Sequence, residues 1–93
     1  MSKLEAVEER LVKDWCEDNG VLFIKFTPFG DRGWPDRIAI FENGTHVWLE
    51  MKRKGKKPRK LQVFRMDQLS ERGVNVHWAD SADLAIELLE QYL

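Results

Sequence analysis

The spacing of apolar positions divides the chain into seven elements. Leu4, Val7, Leu11 and Trp15 recur at helical spacing through "KLEAVEERLVKDWCED" (3–18), and the Asn-Gly that follows predicts a stop at Gly20. "VLFIKFT" (21–27) is dense in β-forming side chains and predicts a strand. "PFGDRGWP" (28–35), with two prolines and two glycines, predicts an irregular loop. Alternation then runs on both sides of an Asn-Gly, so residues 36–42 and 46–52 read as a β-hairpin. "RKLQVFRMDQLSERG" (59–73) is a second helix, with Leu61, Phe64 and Leu69 on its apolar side. "VNVHWA" (74–79) is a fourth strand, and "DSADLAIELLEQYL" (80–93) a closing helix capped by Asp80 or Ser81. The order αβββαβα predicts an α/β (α+β) domain, a mixed sheet flanked by helices, with Phe23, Trp48, Phe64 and Trp78 in its core.

The hairpin breaks its own pattern. Trp48, Glu50 and Lys52 share one face of the second strand, while Asp36 shares a face with Ile38 and Ile40 on the first. The two sets meet only if the connection has an odd number of residues. A three-residue loop "NGT" does this, pairing Glu42 with His46 and Asp36 with Lys52. Two carboxylates and an ammonium then converge at the open end of the hairpin. Like charges in a half-buried place repel and are costly to desolvate. A hard divalent cation resolves the conflict, since Mg²⁺ takes one or two carboxylates together with substrate phosphate. The plainer alternative is a salt bridge of Asp36, Glu50 and Lys52 on a solvent-facing strand.

Composition narrows the class. Ninety-three residues, 43 % of them hydrophobic, make a single domain, 1–93, and a folded one. A chain this short buries only about 60 % of the surface it exposes unfolded. Association with a second copy would add to that. The last helix offers a surface, because Leu84, Ile86, Leu88, Leu89, Tyr92 and Leu93 exceed one stripe, and a homodimer is expected. Cys16 is the one cysteine, and His46 and His77 lie too far apart for a zinc-type spacing. No signal peptide or membrane-length apolar run is present, which points to the cytoplasm and away from a membrane. The net charge of −1 hides an asymmetry: "KRKGKKPRK" (52–60) holds seven of the 15 basic residues and none of the 16 acidic ones. That strip is either a solvated loop or a phosphate-binding patch on an acidic body.

"PD" at 35–36 and "EMK" at 50–52, thirteen residues apart, resemble the PD-(D/E)xK nuclease motif. More is present, and in order. "VEERLVKDW" resembles the first-helix Glu of such enzymes, "GDRGWPDRIAI" their G-x-P-D-R signature, and "VWLEMKRKGKKPRKLQ" an E-x-K strand followed by a basic loop and a helix-borne Gln. The series is similar to the VRR-NUC family, the virus-type replication and repair nucleases, over about residues 4–79. The family fold is an αβββαβ core, restriction-endonuclease-like, around a mixed four-stranded sheet; a C-terminal helix follows here. Small stand-alone members occur in phages and bacteria.

The resemblance implies a role for each matching position. Asp36 and Glu50 become metal ligands, Lys52 the catalytic lysine and Gln62 a support of the active site. For the helix carboxylate, Glu5, Glu8 and Glu9 compete. Glu8 lies beside Leu4 and Trp15 on the expected apolar stripe and has the family's spacing to Leu11 and Trp15, so it is chosen as catalytic residue and further metal ligand. Lys25, Arg32 and Arg37, with Arg53, Lys54, Lys56, Lys57, Arg59 and Lys60 of the strip, are candidate DNA contacts. Trp34 either stacks on a base or sugar or packs its loop. The activity implied is Mg²⁺-dependent DNA cleavage, with Mn²⁺ a substitute. No base-reading motif is present, and small members of the family act on branched DNA, so four-way (Holliday) junctions are the expected substrate rather than a particular sequence. The rival readings are a non-catalytic nucleic-acid-binding module using 52–60 and a scaffold protein for which the strip is decoration.

Overall fold

The hairpin forms around a three-residue connection, one position earlier in the chain than "NGT". Its loop is Glu42-Asn43-Gly44: Phe41 N–H donates to Thr45 O (2.9 Å), Gly44 N–H to Phe41 O (2.9 Å), and Asn43 Oδ1 accepts from Thr45 N–H (3.0 Å). Gly44 takes φ +86°, the left-handed residue that closes a type I turn with a bulge. The ladder runs Ile40↔His46, Ala39↔Val47, Ile38↔Trp48, Arg37↔Leu49. One further step sets Asp36 opposite Glu50, not opposite Lys52. The odd loop length was read correctly and the register was not, because Asn-Gly lies inside the turn rather than at its start.

The structure, a computed structural model, describes residues 3–93, with side chains from residue 6 onward. Leu4 and Glu5 of the expected first-helix pattern therefore lie outside the described side chains. The elements are α1 (Lys3–Asp18), β1 (Leu22–Lys25), β2 (Arg37–Ile40), β3 (His46–Met51), α2 (Lys60–Glu71), β4 (Asn75–Ala79) and α3 (Ala82–Glu90). The sheet order is β1-β2-β3-β4, antiparallel except for the parallel β3/β4 pair that α2 connects, so the sheet is mixed as expected.

Helices cover both faces. On one face α1 and α3 pack on the odd-numbered residues of β3: Val12, Cys16, Ala39, Val47, Leu49, Ala85 and Leu89 are fully buried there. Burial raises the Cys16 thiol to about 12, so it behaves as a small apolar side chain. On the other face α2 lies against β4, and Met66 is its one buried residue. The buried stripe of α1 is Glu9, Val12 and Cys16, at i, i+3 and i+7. Val7 and Leu11, expected inward, are 57 % and 50 % exposed, and so are Leu61 and Phe64 of α2 at 43 % and 54 %. Trp15 does pack against the core and Leu69 is half-buried, so periodicity found these helices and misplaced part of each inner face. The caps are polar: Ser81 Oγ accepts from Leu84 N–H (3.1 Å), while Asp80 Oδ2 takes Gly55 N–H (3.2 Å) and ties the basic loop to the sheet.

Candidate active site

The ends of β2 and β3 deliver a cluster of charge that the core does not solvate. Glu50 is 6 % exposed. Its carboxylate has Lys52 Nζ at 3.7 Å and Gln62 Nε2 at 3.4 Å, both on Oε2. Gln62 stands in the first turn of α2, where its Oε1 accepts from Arg59 N–H (2.8 Å), and that bond turns the amide nitrogen toward Glu50. Asp36, next to the fully buried Pro35, leans on Arg37 through Oδ2 (3.7 Å); its Oδ1 is buried and has no hydrogen-bond partner among the described residues. Burial, and then the charge of Asp36, push the Glu50 carboxyl up to about 7. Burial raises Asp36 as well, against the pull of Arg37, Lys25 and Lys52.

Glu8 lies outside this cluster. Its Oε2 accepts the N–H of Ala82, the first residue of α3, so the carboxylate answers a helix N-terminus and joins α1 to α3. The charged residue on the inner side of α1 has a structural reason. Its neighbour Glu9, 9 % exposed, forms the ion pair with Arg37 Nη2 and is close enough to Asp36 for the two charges to repel. Burial raises the Glu9 carboxyl and outweighs the guanidinium. Among the described side chains, the α1 carboxylate that reaches the site is thus Glu9, one residue from Glu8. The signal that could have found it is the Glu9-Val12-Cys16 spacing, which competes with the Leu4-Val7-Leu11-Trp15 spacing along the same helix. Arg37 serves largely inside the protein: its side chain is 11 % exposed and bonded to Glu9 and to its own neighbour's carbonyl, Asp36 O (3.1 Å).

Basic side chains flank the cluster on both sides. Lys52, Arg53, Lys56, Lys57 and Arg59 line a basin of about 390 Å³. Lys54 and Lys60 are exposed beside it. Across the sheet, Arg10, Lys13, Lys25 and Arg37 with Glu9 line a cleft of about 400 Å³; Arg10 and Lys13 carried no signal in the sequence because they alternate with acids on α1. Asp36 feels the charge of Lys25 from one side and Lys52 from the other, so the carboxylate pair lies between the two basic tracts. Arg32 is exposed in the β1–β2 loop. Trp34 packs its loop, its ring under the Arg65 guanidinium at 4.6 Å.

The donor set suits a hard cation: two oxygen-only side chains, one with a buried oxygen that has no partner among the described residues and one driven toward neutrality by burial and by the charge of Asp36, against the pull of Lys52. Among the described residues no group of three or more His, Cys, Asp or Glu side chains gathers at ligand spacing, so Asp36 and Glu50 would hold such an ion as a pair.

A hairpin that sets an Asp across from the Glu of an E-x-K strand, on a mixed sheet between helices, defines a PD-(D/E)xK type of phosphodiesterase frame. A solved structure described as "VRR_NUC domain" superposes with a TM-score of 0.90 at 27 % identity, over 99 % of this chain and all of that one. A second, "VRR_NUC domain protein", shares the fold with a TM-score of 0.76 at 19 % identity, over 100 % of this chain and 90 % of that one. A curated protein of Acyrthosiphon pisum secondary endosymbiont phage 1, "Putative nuclease p44", is 33 % identical over 81 residues, 87 % of this chain and 86 % of that protein. No protein-family model matches the chain. The chain belongs to the VRR-NUC nuclease family.

Proposed function

We propose that the protein is a Mg²⁺-dependent DNA endonuclease, accepting Mn²⁺, that selects branched DNA by shape and not by sequence. One observation carries this reading: the buried, unpartnered Asp36 Oδ1 beside a Glu50 whose carboxyl is raised to about 7. An ion held there would polarise the phosphate and lower the pKa of a bound water. The protein's own groups do the rest. Arg37, fixed by Glu9, holds Asp36 from behind. Gln62 orients the Glu50 carboxylate. Lys52, lining the basic basin with its ammonium at the edge of the pair, faces the phosphate and meets the charge that develops as water attacks phosphorus and the P–O bond breaks. The two basic tracts hold the strand on either side without reading bases.

A homodimer fits the same reading, since a two-fold branched DNA offers two equivalent strands. Apolar surface is left open on α1 (Val7, Leu11), β1 (Leu22, Ile24) and α2 (Leu61, Val63, Phe64), and of the expected C-terminal surface Leu93 is 65 % exposed and Leu84 37 %, while Leu89 is buried. Sedimentation of the active protein tests this, and a mass of 11.0 kDa would exclude it.

The activity itself is tested with labelled linear, flapped and four-way DNAs in Mg²⁺, Ca²⁺ or chelator, beside Glu50→Gln. Cleavage of branched forms in Mg²⁺ alone, abolished by the substitution, is expected. Binding with no cleavage under any condition would favour the rival, a nucleic-acid-binding module acting through residues 52–60.

A further inference from the structure

Phe29 is fully exposed, at 105 % of its reference area. A lone exposed apolar side chain is ordinary on a protein surface. Its setting is not. The residue stands in the segment between β1 and Asp36, hence at the end of the sheet where the carboxylate pair lies. That segment has no regular secondary structure, yet it is tied down on both sides of Phe29, at residues 31–34 and at Phe26. Gly33, at φ +86°, runs so close to α2 that a Cβ would meet Leu61 Cγ at 2.6 Å. Arg65 of α2 donates from Nε to Arg32 O (3.1 Å) and from Nη2 to Asp31 Oδ1 (3.3 Å), with its guanidinium over the Trp34 ring. At the other end Phe26 closes edge-on against Trp48, centroids 4.9 Å apart. The other two aromatic rings of the loop have partners, and Phe29 has none.

The surroundings select what would cover it. Lys25 and Arg32 are exposed on the same loop and its approach, and the basic basin of residues 52–59 lies beyond the carboxylates. An open aromatic face among cations suits a nucleobase, whose ring stacks while its phosphates meet the charges. In a continuous duplex both faces of every base are covered by neighbours and exposing one costs unstacking energy, as at a wedged base step, so a free face is available without that cost at a branch, flap or end. We infer that Phe29 is a stacking platform for an unpaired or partly unstacked nucleobase beside the cleaved phosphodiester. It is then a specificity residue, giving branched DNA a contact that continuous duplex lacks. The inference rests on the nuclease reading above and deepens it.

The test uses the full chain with Phe29→Ala and Phe29→Trp. Binding of a four-way DNA carrying 2-aminopurine at the branch, and of a matched linear duplex, is measured in chelator, with melting and sedimentation alongside. Phe29→Ala is expected to melt and sediment as the wild type and to bind linear duplex equally. It should bind the branched DNA about tenfold more weakly and leave the 2-aminopurine signal unquenched. Phe29→Trp should restore both. Wild-type branched affinity and quenching in Phe29→Ala would overturn the inference. So would a change in mass, which would place the ring against a second copy, or a fall in melting temperature, which would make it structural. A wild-type protein that binds neither DNA would overturn the functional reading as well.

Discussion

The two faces of the sheet treat buried charge differently. On the α1/α3 face each polar group that enters the core is answered: Glu9 by Arg37, Glu8 by the N–H of Ala82, and His77 by the Tyr92 hydroxyl at 2.6 Å. On the α2 face Glu50 has Lys52 and Gln62 at the long distances of 3.4–3.7 Å, and Asp36, on the same face by alternation, keeps a buried oxygen without a partner among the described residues. One β-strand, β3, serves both: Val47, Leu49 and Met51 look into the dry core while Trp48 and Glu50 look the other way. Satisfied charge on the first face holds the fold together. Unsatisfied charge on the second makes Asp36 and Glu50 the pair that a bound cation would answer under the function proposed above, since a folded protein leaves few buried polar atoms without partners.

Substitutions that cross this division should have the largest effects. Asp36→Asn and Glu50→Gln are expected to lower cleavage on the order of 10³-fold or more without unfolding the protein, as followed by single-turnover kinetics and circular dichroism. Lys52→Ala should cost about 10²–10³-fold in cleavage and leave DNA binding in chelator largely intact, less one phosphate contact. Wild-type rates in that variant would remove the chemistry from these residues. The adjacent helix carboxylates should separate cleanly. Glu9→Gln, by loosening Arg37 behind Asp36, is expected to lower both melting temperature and cleavage rate. Glu8→Gln, by weakening one helix N-terminus, should cost about 1 kcal/mol, roughly 4–8 °C in melting temperature, with cleavage unchanged. Equal catalytic loss in the two variants would erase the distinction between the faces. The smallest effect is expected of Lys56, Lys57 and Arg59: replacing them with Gln should weaken binding to all duplexes alike and reduce the salt slope by about 0.9 per contact.

Much of this arrangement was legible in the sequence, for identifiable reasons. Side-chain alternation put Glu50 and Lys52 on one face, and an odd hairpin loop put Asp36 with them; both follow from the two-residue period of a strand. The exact partner of Asp36 was not legible, because Asn43-Gly44 fits either end of a three-residue turn and one step of register exchanges Lys52 for Glu50. The choice between Glu8 and Glu9 failed for a different reason. Val7 and Leu11 look like core by composition, yet they are half exposed, so the helix is rotated toward Val12 and Cys16 by what it packs on. Arg65, which fastens the loop before Asp36, left no pattern at all: its partners Asp31 and Arg32 are more than thirty residues away in the chain. Contacts of that separation are fixed by topology, not by local propensity.

The central proposal is that Asp36 and Glu50 together bind a cation, and melting curves across pH with and without Mg²⁺ test it most directly. The Glu50 carboxyl, ordinarily near 4.5, is raised to about 7 in the folded protein, with Asp36 raised in the same sense. Below about pH 4.5 Glu50 is protonated both folded and unfolded, so its burial carries no charge penalty. As pH rises to about 7 the unfolded chain has already released the proton that the fold retains, and stability falls through that window. Above it the penalty is complete, and a bound cation should offset it. The expected result is stabilisation by Mg²⁺ that is absent at pH 5 and grows through pH 8, with Glu50→Gln less sensitive to pH over this window and indifferent to Mg²⁺. Stabilisation that is the same at both pH values, or that survives in Glu50→Gln, would contradict it.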